Sequence, residues 1–350
     1  MRDYQRHLIL ENATVRDALL KLNSLGDDAI LFVVDDSDKL LGALTDGDVR
    51  RGLLKGKSIE DLVKEIMQLE PKSVSNLGKN FEETLCLRSK NYEVIPVVTD
   101  KCKVVDIINF RLLKSYLPLD AVIMAGGKGE RLRPLTNQTP KSLLPVGDKS
   151  IIEHNIDNLS RYGINNFWIS LNYLGKKLTT FLGSGEVKDI NINYIWEDQP
   201  LGTIGAASKI RGLNHDDILV TNSDILTNLD YEKFYIDFKN RDVDVSIACV
   251  PYKVNVPYAV LEQDQNGYIT SLKEKPTFTF FSNGGIYLMK KSVLNLIPEN
   301  KFFNATDLIE LLISKNKKVI SYSWDGYWLD IGSPEDYRKA NLDIKKVSFK

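Results

Sequence analysis

The chain has only three cysteines and three histidines in 350 residues, and almost no net charge. Cys86, Cys102 and Cys249 are scattered, odd in number and form no CxxC pair. A disulfide framework and a thiolate metal site are thereby excluded, and a reducing compartment fits. His7, His154 and His215 have no ligand-like spacing, and no Ser/His/Asp or Cys/His constellation assembles around them. A formal net charge of −1 removes any general attraction to nucleic acid or to an anionic membrane. Apolar stretches such as Ala29–Val34 are strand-sized, far short of the roughly 20 residues of a membrane span. The apolar run within Met1–Leu10 is too short for a signal peptide. A cytoplasmic protein is expected, whose phosphate chemistry, if any, comes from a local site.

What is present is an ordinary globular composition, 43% hydrophobic and 27% charged, in a length that predicts about two domains. The first third contains an internal repeat. Ala29–Arg50 reads as strand, polar turn, strand and then a helix opening at Thr45. About 64 residues later, Glu93–Lys114 has the same rhythm, which implies a pseudo-twofold module. Before the first copy, Val15, Leu19, Leu20 and Leu22 recur at helical spacing within Thr14–Leu25. Pro118 then breaks the helical pattern, predicting one domain over residues 1–117 and a second over 118–350.

In the second domain strand candidates alternate with helical patterns. Strands are expected at Ala121–Met124, Asn166–Leu171, Ile190–Trp196, Ile218–Thr221 and Ser246–Val250. Helices are expected at Ile151–Tyr162, Lys176–Phe181, Gly205–Ile210 and Tyr231–Asn240, and near the end at Asn304–Lys315 and Pro334–Leu342. Tyr258–Glu262, Ile269–Lys273 and Gly284–Met289 read as a strand-rich elaboration. The fold class is α/β, a doubly wound and mostly parallel sheet preceded by a smaller module.

Four segments can carry chemistry. Residues 121–147, AVIMAGGKGERLRPLTNQTPKSLLPVG, run from a strand into a loop with Gly126, Gly127 and Gly129. Glycines let backbone N–H groups approach an anion, and Lys128, Arg131, Arg133 and Lys141 add positive charge. The segment is neither a Walker A loop nor a GxGxxG fingerprint. Glu197–Ala206 contains Pro200-Leu201-Gly202-Thr203, a loop leading into the next element. Asp224 ends an apolar strand and Asp330 stands in Tyr327-Trp328-Leu329-Asp330. Last, Lys273-Glu274-Lys275-Pro276 precedes Asn283-Gly284-Gly285.

The co-occurrence of GGxGxRLxPLT with PKxLLPVG resembles the sugar-1-phosphate nucleotidyltransferases, or NDP-sugar pyrophosphorylases, over roughly residues 119–345. The first third resembles a tandem CBS module over 1–117, so the resemblance implies a Rossmann-like nucleotidyltransferase fold behind a CBS pair. It implies that Gly126, Gly127 and Gly129 cradle the nucleotide phosphates, that Arg131 stabilises the transition state, and that Lys141 contacts phosphates. Leu201, Gly202 and Thr203 would wall the base and ribose. Asp224 and Asp330 would hold Mg²⁺, which takes one or two carboxylates plus phosphate oxygens and water. Glu274, Asn283, Gly284 and Asn172 would hold the sugar, and Lys275 its phosphate. In the CBS module Thr45 and Asp48 match the family's nucleotide-contacting turn. In the second copy Asn109 and Leu112 stand in their places, so at most one ligand site is expected.

The activity implied is transfer of a nucleotidyl group from an NTP to a sugar 1-phosphate. The Pro-Leu-Gly-Thr form resembles the guanylyl-transferring branch, and the CBS fusion resembles enzymes making GDP-activated glucosamine for nonulosonic (legionaminic-type) acids. GTP and glucosamine 1-phosphate are the expected substrates, with heptose or mannose 1-phosphate, or another NTP, as alternatives. A nucleotide-sensing protein with an inactive transferase domain is the rival from another class. CBS pairs commonly associate, so a homo-oligomer and a regulatory nucleotide at the module are further expectations. Trp168, Trp196, Trp324 and Trp328 are too dispersed for the aromatic box of a phosphocholine cytidylyltransferase, and no hexapeptide repeat follows the second domain.

Overall fold

Residues 4–76 and 81–346 are described by the structure, a computed structural model. The repeat of the first third is built into the backbone. Strands Ile30–Val34 and Leu40–Thr45 pair antiparallel, and so do Val94–Val98 and Val104–Asn109. Val33 faces Gly42 as Val97 faces Asp106, and Ile30 faces Thr45 as Val94 faces Asn109. Each ladder carries an irregularity at the same place, after Val33 and after Val97. The two turns bond each other reciprocally: Leu40 N–H donates to the Cys102 carbonyl and Val104 N–H to the Asp38 carbonyl, both at 2.9 Å. Lys39 and Lys103 form the bridge between these bonds.

The helix before the first hairpin is Val15–Leu25, with Thr14 and Asp17 forming a capping box. It buries Val15, Ala18, Leu22 and Leu25. Leu20, counted in the apolar stripe from sequence, is 66% exposed, because its position points away from the i, i+3, i+7 face. After the first hairpin the expected helix forms at Asp46–Leu54. After the second it does not. Asn109 Oδ1 accepts the Arg111 N–H at 2.9 Å, and the Asn109 carbonyl accepts from Leu112 and Leu113, closing a turn. Asp48 caps the first helix from its third position, whereas Leu112 in the second copy has no acceptor to reach back with.

The chain divides into two compact units. The first runs to Pro118 and takes in Ser160–Asn165 and Gly185–Ile190; the second holds Leu119–Leu159, Asn166–Ser184 and the chain from Asn191 onward. In the second, a seven-stranded sheet has Asn191–Trp196 at one edge, followed by Asn166–Leu171, Leu119–Met124 and Asp217–Asn222, all parallel. Thr277–Lys290 runs antiparallel between Asp217–Asn222 and Val245–Asn255, and Val319–Ser323 closes the other edge parallel to the last. The fold is thus a mixed α/β one with a large, mostly parallel sheet, and the helices Gly175–Leu182, Tyr231–Arg241, Ala305–Ser314 and Pro334–Asp343 belong to the same unit, as does Ile151–Ser160 up to Leu159. Among the described residues no helix is long and apolar enough to cross a membrane.

The core follows from the pattern of these strands. Ala121, Val122 and Ile123 are fully buried, as befits a central parallel strand covered on both faces. Val122, Ile218, Val220 and Met289 share one cluster with Leu308 and Leu312 of the Ala305–Ser314 helix. Two expectations are corrected. The Gly205–Ile210 segment is a 3₁₀ helix over Gly205–Lys209 rather than an α-helix, its start tied by the N–H groups of Ile204 and Gly205 to the Phe303 carbonyl. The strand expected at Gly284–Met289 begins at Thr277, because the β-branched and aromatic run continues the pairing with Val245–Asn255 beyond the buried part.

Four parallel strands therefore end along one edge of the sheet, and the site lies just beyond them. Asp120, with no exposed surface, anchors the start of the central strand. It accepts from Asn166 Nδ2 at 2.5 Å and from the His215 N–H at 2.8 Å. Asp120→Ala leaves the buried Asn166 amide and the half-buried His215 N–H without this acceptor, and should lower stability by about 3 kcal/mol in urea unfolding.

Candidate active site

Each of the four parallel strands delivers a polar or glycine-rich turn to the same crevice. Leu119–Met124 leads into Ala125–Gly129, Asn166–Leu171 into Asn172, Asn191–Trp196 into Glu197, and Asp217–Asn222 into Ser223 and Asp224. These residues, with Arg131, Lys141, Leu201, Gly202 and Thr203, line a cavity of about 590 Å³. The glycine loop is held from below by the Ser170 hydroxyl, which accepts the Ala125 N–H at 3.1 Å. Gly129 sits at φ +62°, and a Cβ there would lie 3.0 Å from Thr136 and 3.1 Å from Lys141. Gly202, at φ +81°, would bring a Cβ within 2.5 Å of the Phe303 carbonyl. Both positions combine a left-handed backbone with a crowded neighbour, which only glycine meets.

The Leu201–Gly205 loop is clasped by the segment before the Ala305–Ser314 helix. Phe303 N–H donates to the Leu201 carbonyl at 2.9 Å, Thr203 N–H to Asn304 Oδ1 at 3.2 Å, and Ala305 N–H to Thr203 Oγ1 at 2.8 Å. Thr203, Asn222 and Asn304 also line a second cavity of about 310 Å³, together with Asn283, Gly284, Trp328 and Asp330. The two cavities adjoin across these shared walls. Trp328 Nε1 donates to the Gly284 carbonyl at 2.9 Å, fixing the indole on the second cavity's wall.

Asp224 and Asp330, distant in sequence, are brought together by a two-stranded antiparallel ladder of Ile225–Thr227 with Trp328–Asp330. Ile331 N–H donates to the Asp224 carbonyl at 3.0 Å and locks the register. Lys141 Nζ donates to Asp224 Oδ2 and lies 3.9 Å from Asp330 Oδ1. Burial and then the neighbouring Asp224 charge push the Asp330 carboxyl above its ordinary value, against the pull of Lys141 and Arg131. The other oxygen of Asp224, Oδ1, and Oδ1 of Asp330 are buried without a hydrogen-bond partner. Two oxygen acceptors left open beside a cavity lined by the glycine loop, Arg131 and Lys141 fit a hard divalent cation that completes its shell with phosphate oxygens and water. Among the described residues no group of three or more His, Cys, Asp or Glu side chains could hold a metal.

Gly126, Gly127, Gly129, Arg131, Lys141, Leu201, Gly202, Thr203 and Asp224 thus meet at the first cavity, and Asn283, Gly284 and Asp330 at the second. Asn172, expected at the sugar, lines the first cavity, where its Nδ2 donates to the Glu197 carbonyl at 2.9 Å. Glu274 and Lys275 line neither cavity; both are exposed, directly after the Val260–Gln263 and Ile269–Lys273 hairpin. In the first unit Thr45 and Asp48 are turned on each other. Asp48 accepts from the Thr45 N–H and hydroxyl, from Gln68 Nε2 and from Arg51, so its oxygens serve the helix cap. An open groove of about 690 Å³ nearby is lined by Leu19, Asp46, Gly47, Val49, Arg50, Leu53 and Leu54, and by neither of the two.

Glu197 opens the Glu197–Ala206 segment read from the sequence but was not singled out there as a site residue. Only 8% exposed, it lines the first cavity. Its Oε2 accepts the Leu201 N–H at 3.0 Å, and Oε1 occupies the space a Gly126 side chain would need. Burial raises its carboxyl above the ordinary value, opposed by the Leu201 and Ser170 hydrogen bonds and by Lys209. In sequence it stood as one charge of an acidic pair before a proline; only its burial at a strand end marks it out.

The Nucleotidyl transferase family matches residues 120–347, and the CBS domain family matches residues 7–55. A D-glycero-alpha-D-manno-heptose 1-phosphate guanylyltransferase of Aneurinibacillus thermoaerophilus is 30% identical over 65% of this chain and 99% of its own. A mannose-1-phosphate guanylyltransferase of Mycobacterium tuberculosis is 28% identical over 65% of this chain, and this chain spans only 64% of its length. The crystal structure of HddC from Yersinia pseudotuberculosis complexed with GMP-PN matches at a TM-score of 0.50 and 27% identity, over 65% of this chain and 99% of that one. With the family's match running the length of the unit that carries the cavities, the chain belongs to the nucleotidyl transferase family, with a CBS domain ahead of the transferase unit.

Proposed function

We propose that the chain transfers a guanylyl group from GTP to a sugar 1-phosphate, releasing pyrophosphate. The observation that carries this reading is the placement of the two carboxylates. Asp224 lines the first cavity and Asp330 the second, with Lys141 between them. A nucleoside triphosphate in the larger cavity and a sugar phosphate in the smaller would bring their phosphates together at that junction.

The sugar-phosphate oxygen attacks the α-phosphorus in line, and pyrophosphate leaves. The attacking oxygen is already anionic at neutral pH, so no general base is needed, which agrees with the lack of a histidine in either cavity. The work left to the protein is to align two polyanions and neutralise developing charge. The glycine-loop amides, Arg131 and Lys141 serve that end. Mg²⁺, held by Asp224 and Asp330, would supply charge neutralisation at the phosphate oxygens when bound.

Base choice is assigned to Glu197. When ionised, a carboxylate on the wall of the nucleotide cavity accepts hydrogen bonds and donates none. The guanine edge presents two neighbouring N–H donors, whereas uracil and thymine present one. The guanylyltransferase relatives support guanine as well. For the sugar, glucosamine 1-phosphate is the first candidate, with heptose and mannose 1-phosphates, the substrates in the relatives' names, as the alternatives. A regulatory nucleotide at the CBS module would have to displace contacts that Asp48 now makes.

Pyrophosphate release measured across the NTPs and these three sugar phosphates is expected to be greatest with GTP. A preference for UTP or dTTP overturns the guanylyl assignment, and no release with any pair supports a nucleotide sensor instead. Asp224→Ala should lower kcat by at least about a hundredfold while the protein still folds. Glu197→Gln should cost about tenfold in kcat/KM for GTP and little for the other nucleotides, narrowing the preference.

A further inference from the structure

Lys141 is doing something in this structure that phosphate binding does not require. Its side chain is only 13% exposed, and that of Asp224 20%, so their ion pair is sheltered from solvent. Asp330 Oδ1, buried and otherwise without a partner, lies 3.9 Å from the same ammonium. Two carboxylates this close repel each other, and although the Asp330 side chain as a whole is 44% exposed, one cation between its buried Oδ1 and Asp224 offsets the repulsion. The stem of the lysine is meanwhile tied to the nucleotide side. Lys141 begins the short 3₁₀ helix Lys141–Leu143, and its Cβ packs against Gly129 of the glycine loop. The ammonium can therefore swing between the carboxylates and the loop that would hold phosphates, with its backbone in place.

A divalent cation shared by Asp224 and Asp330 would sit within a few ångströms of the present Nζ position, and the two cations would repel strongly at that range. We propose that Lys141 is the resident counter-cation of the Asp224–Asp330 pair, displaced onto substrate phosphate when a divalent ion takes its place. The ion and the nucleotide then bind cooperatively. Without phosphate the lysine competes with the ion for the carboxylates; with phosphate it has an anion to move to. This inference rests on the nucleotidyl transfer reading only for the identity of the phosphate ligand.

The test measures Mn²⁺ binding to the full chain without nucleotide, by electron paramagnetic resonance of the free ion. Lys141→Met should bind Mn²⁺ roughly tenfold tighter than the wild type, although it removes a residue from the active site. Lys141→Gln, which keeps a neutral donor on a side chain one bond shorter, is the second variant and should tighten binding in the same direction. Lys141→Arg retains the charge and should leave binding weak, and Asp224→Ala should abolish the tightening when combined with Lys141→Met. Equal or weaker Mn²⁺ binding by both neutral variants overturns the proposal, even if the wild type releases pyrophosphate from GTP. Tighter binding by the neutral variants of a chain that turns over no substrate pair upholds it while the transfer reading fails.

Discussion

Two carboxylates of like charge are held side by side at the end of the sheet, and the surrounding structure can be understood from what it takes to keep them there. Asp224 follows the Asp217–Asn222 strand and Asp330 ends the Trp328–Asp330 strand, so their approach depends on the ladder between Ile225–Thr227 and Trp328–Asp330. That ladder is backed by Leu226, Leu329 and Ile331, buried in one cluster with Leu132, Leu144 and Val146. The same cluster braces the segment that carries Arg131 and Lys141. Hydrophobic packing thus supplies the rigidity that the repulsion would otherwise oppose, and the Lys141 ammonium supplies the charge.

The crevice follows from sheet topology in the same way. Parallel strands put their carboxyl ends on one edge, and each end opens a loop there. Small residues let those loops interlock: Gly126 leaves room for the Glu197 carboxylate, and Gly202 for the Phe303 carbonyl. Because Thr203, Asn222 and Asn304 face both cavities, whatever fills one shapes the wall of the other. The antiparallel Thr277–Lys290 strand completes this arrangement by carrying Asn283 and Gly284 to the smaller cavity.

The amino-terminal unit is built on another principle. Its halves are related by a sequence offset that recurs in strand register, bulge position and the reciprocal bonds between Asp38–Leu40 and Cys102–Val104. Symmetry ends at the helix starts. Asp48 completes a capping box with Thr45, while Leu112 leaves Asn109 to close a turn. Two replacements, Asn109 for Thr45 and Leu112 for Asp48, remove the capping box from the second copy.

Local signals were legible in the chain itself. The apolar run of Ala121–Met124, the glycines and cations after it, the helix opening at Thr45, and the repeat all act over a few residues or recur at a fixed offset. They determined the α/β alternation, the internal symmetry and the glycine-loop side of the larger cavity. What only the tertiary structure decided depends on neighbours far along the chain. Glu197 became a buried acceptor because Gly126 and Leu201 close over it, and Asn172 joined the larger cavity because its strand lies beside the central one. Glu274 and Lys275 stand exposed beyond a hairpin whose course no local pattern specifies. Lys141, in sequence one cation among several near the glycine loop, is set between two carboxylates by a ladder formed from distant segments, since charge pairing depends on distance in space.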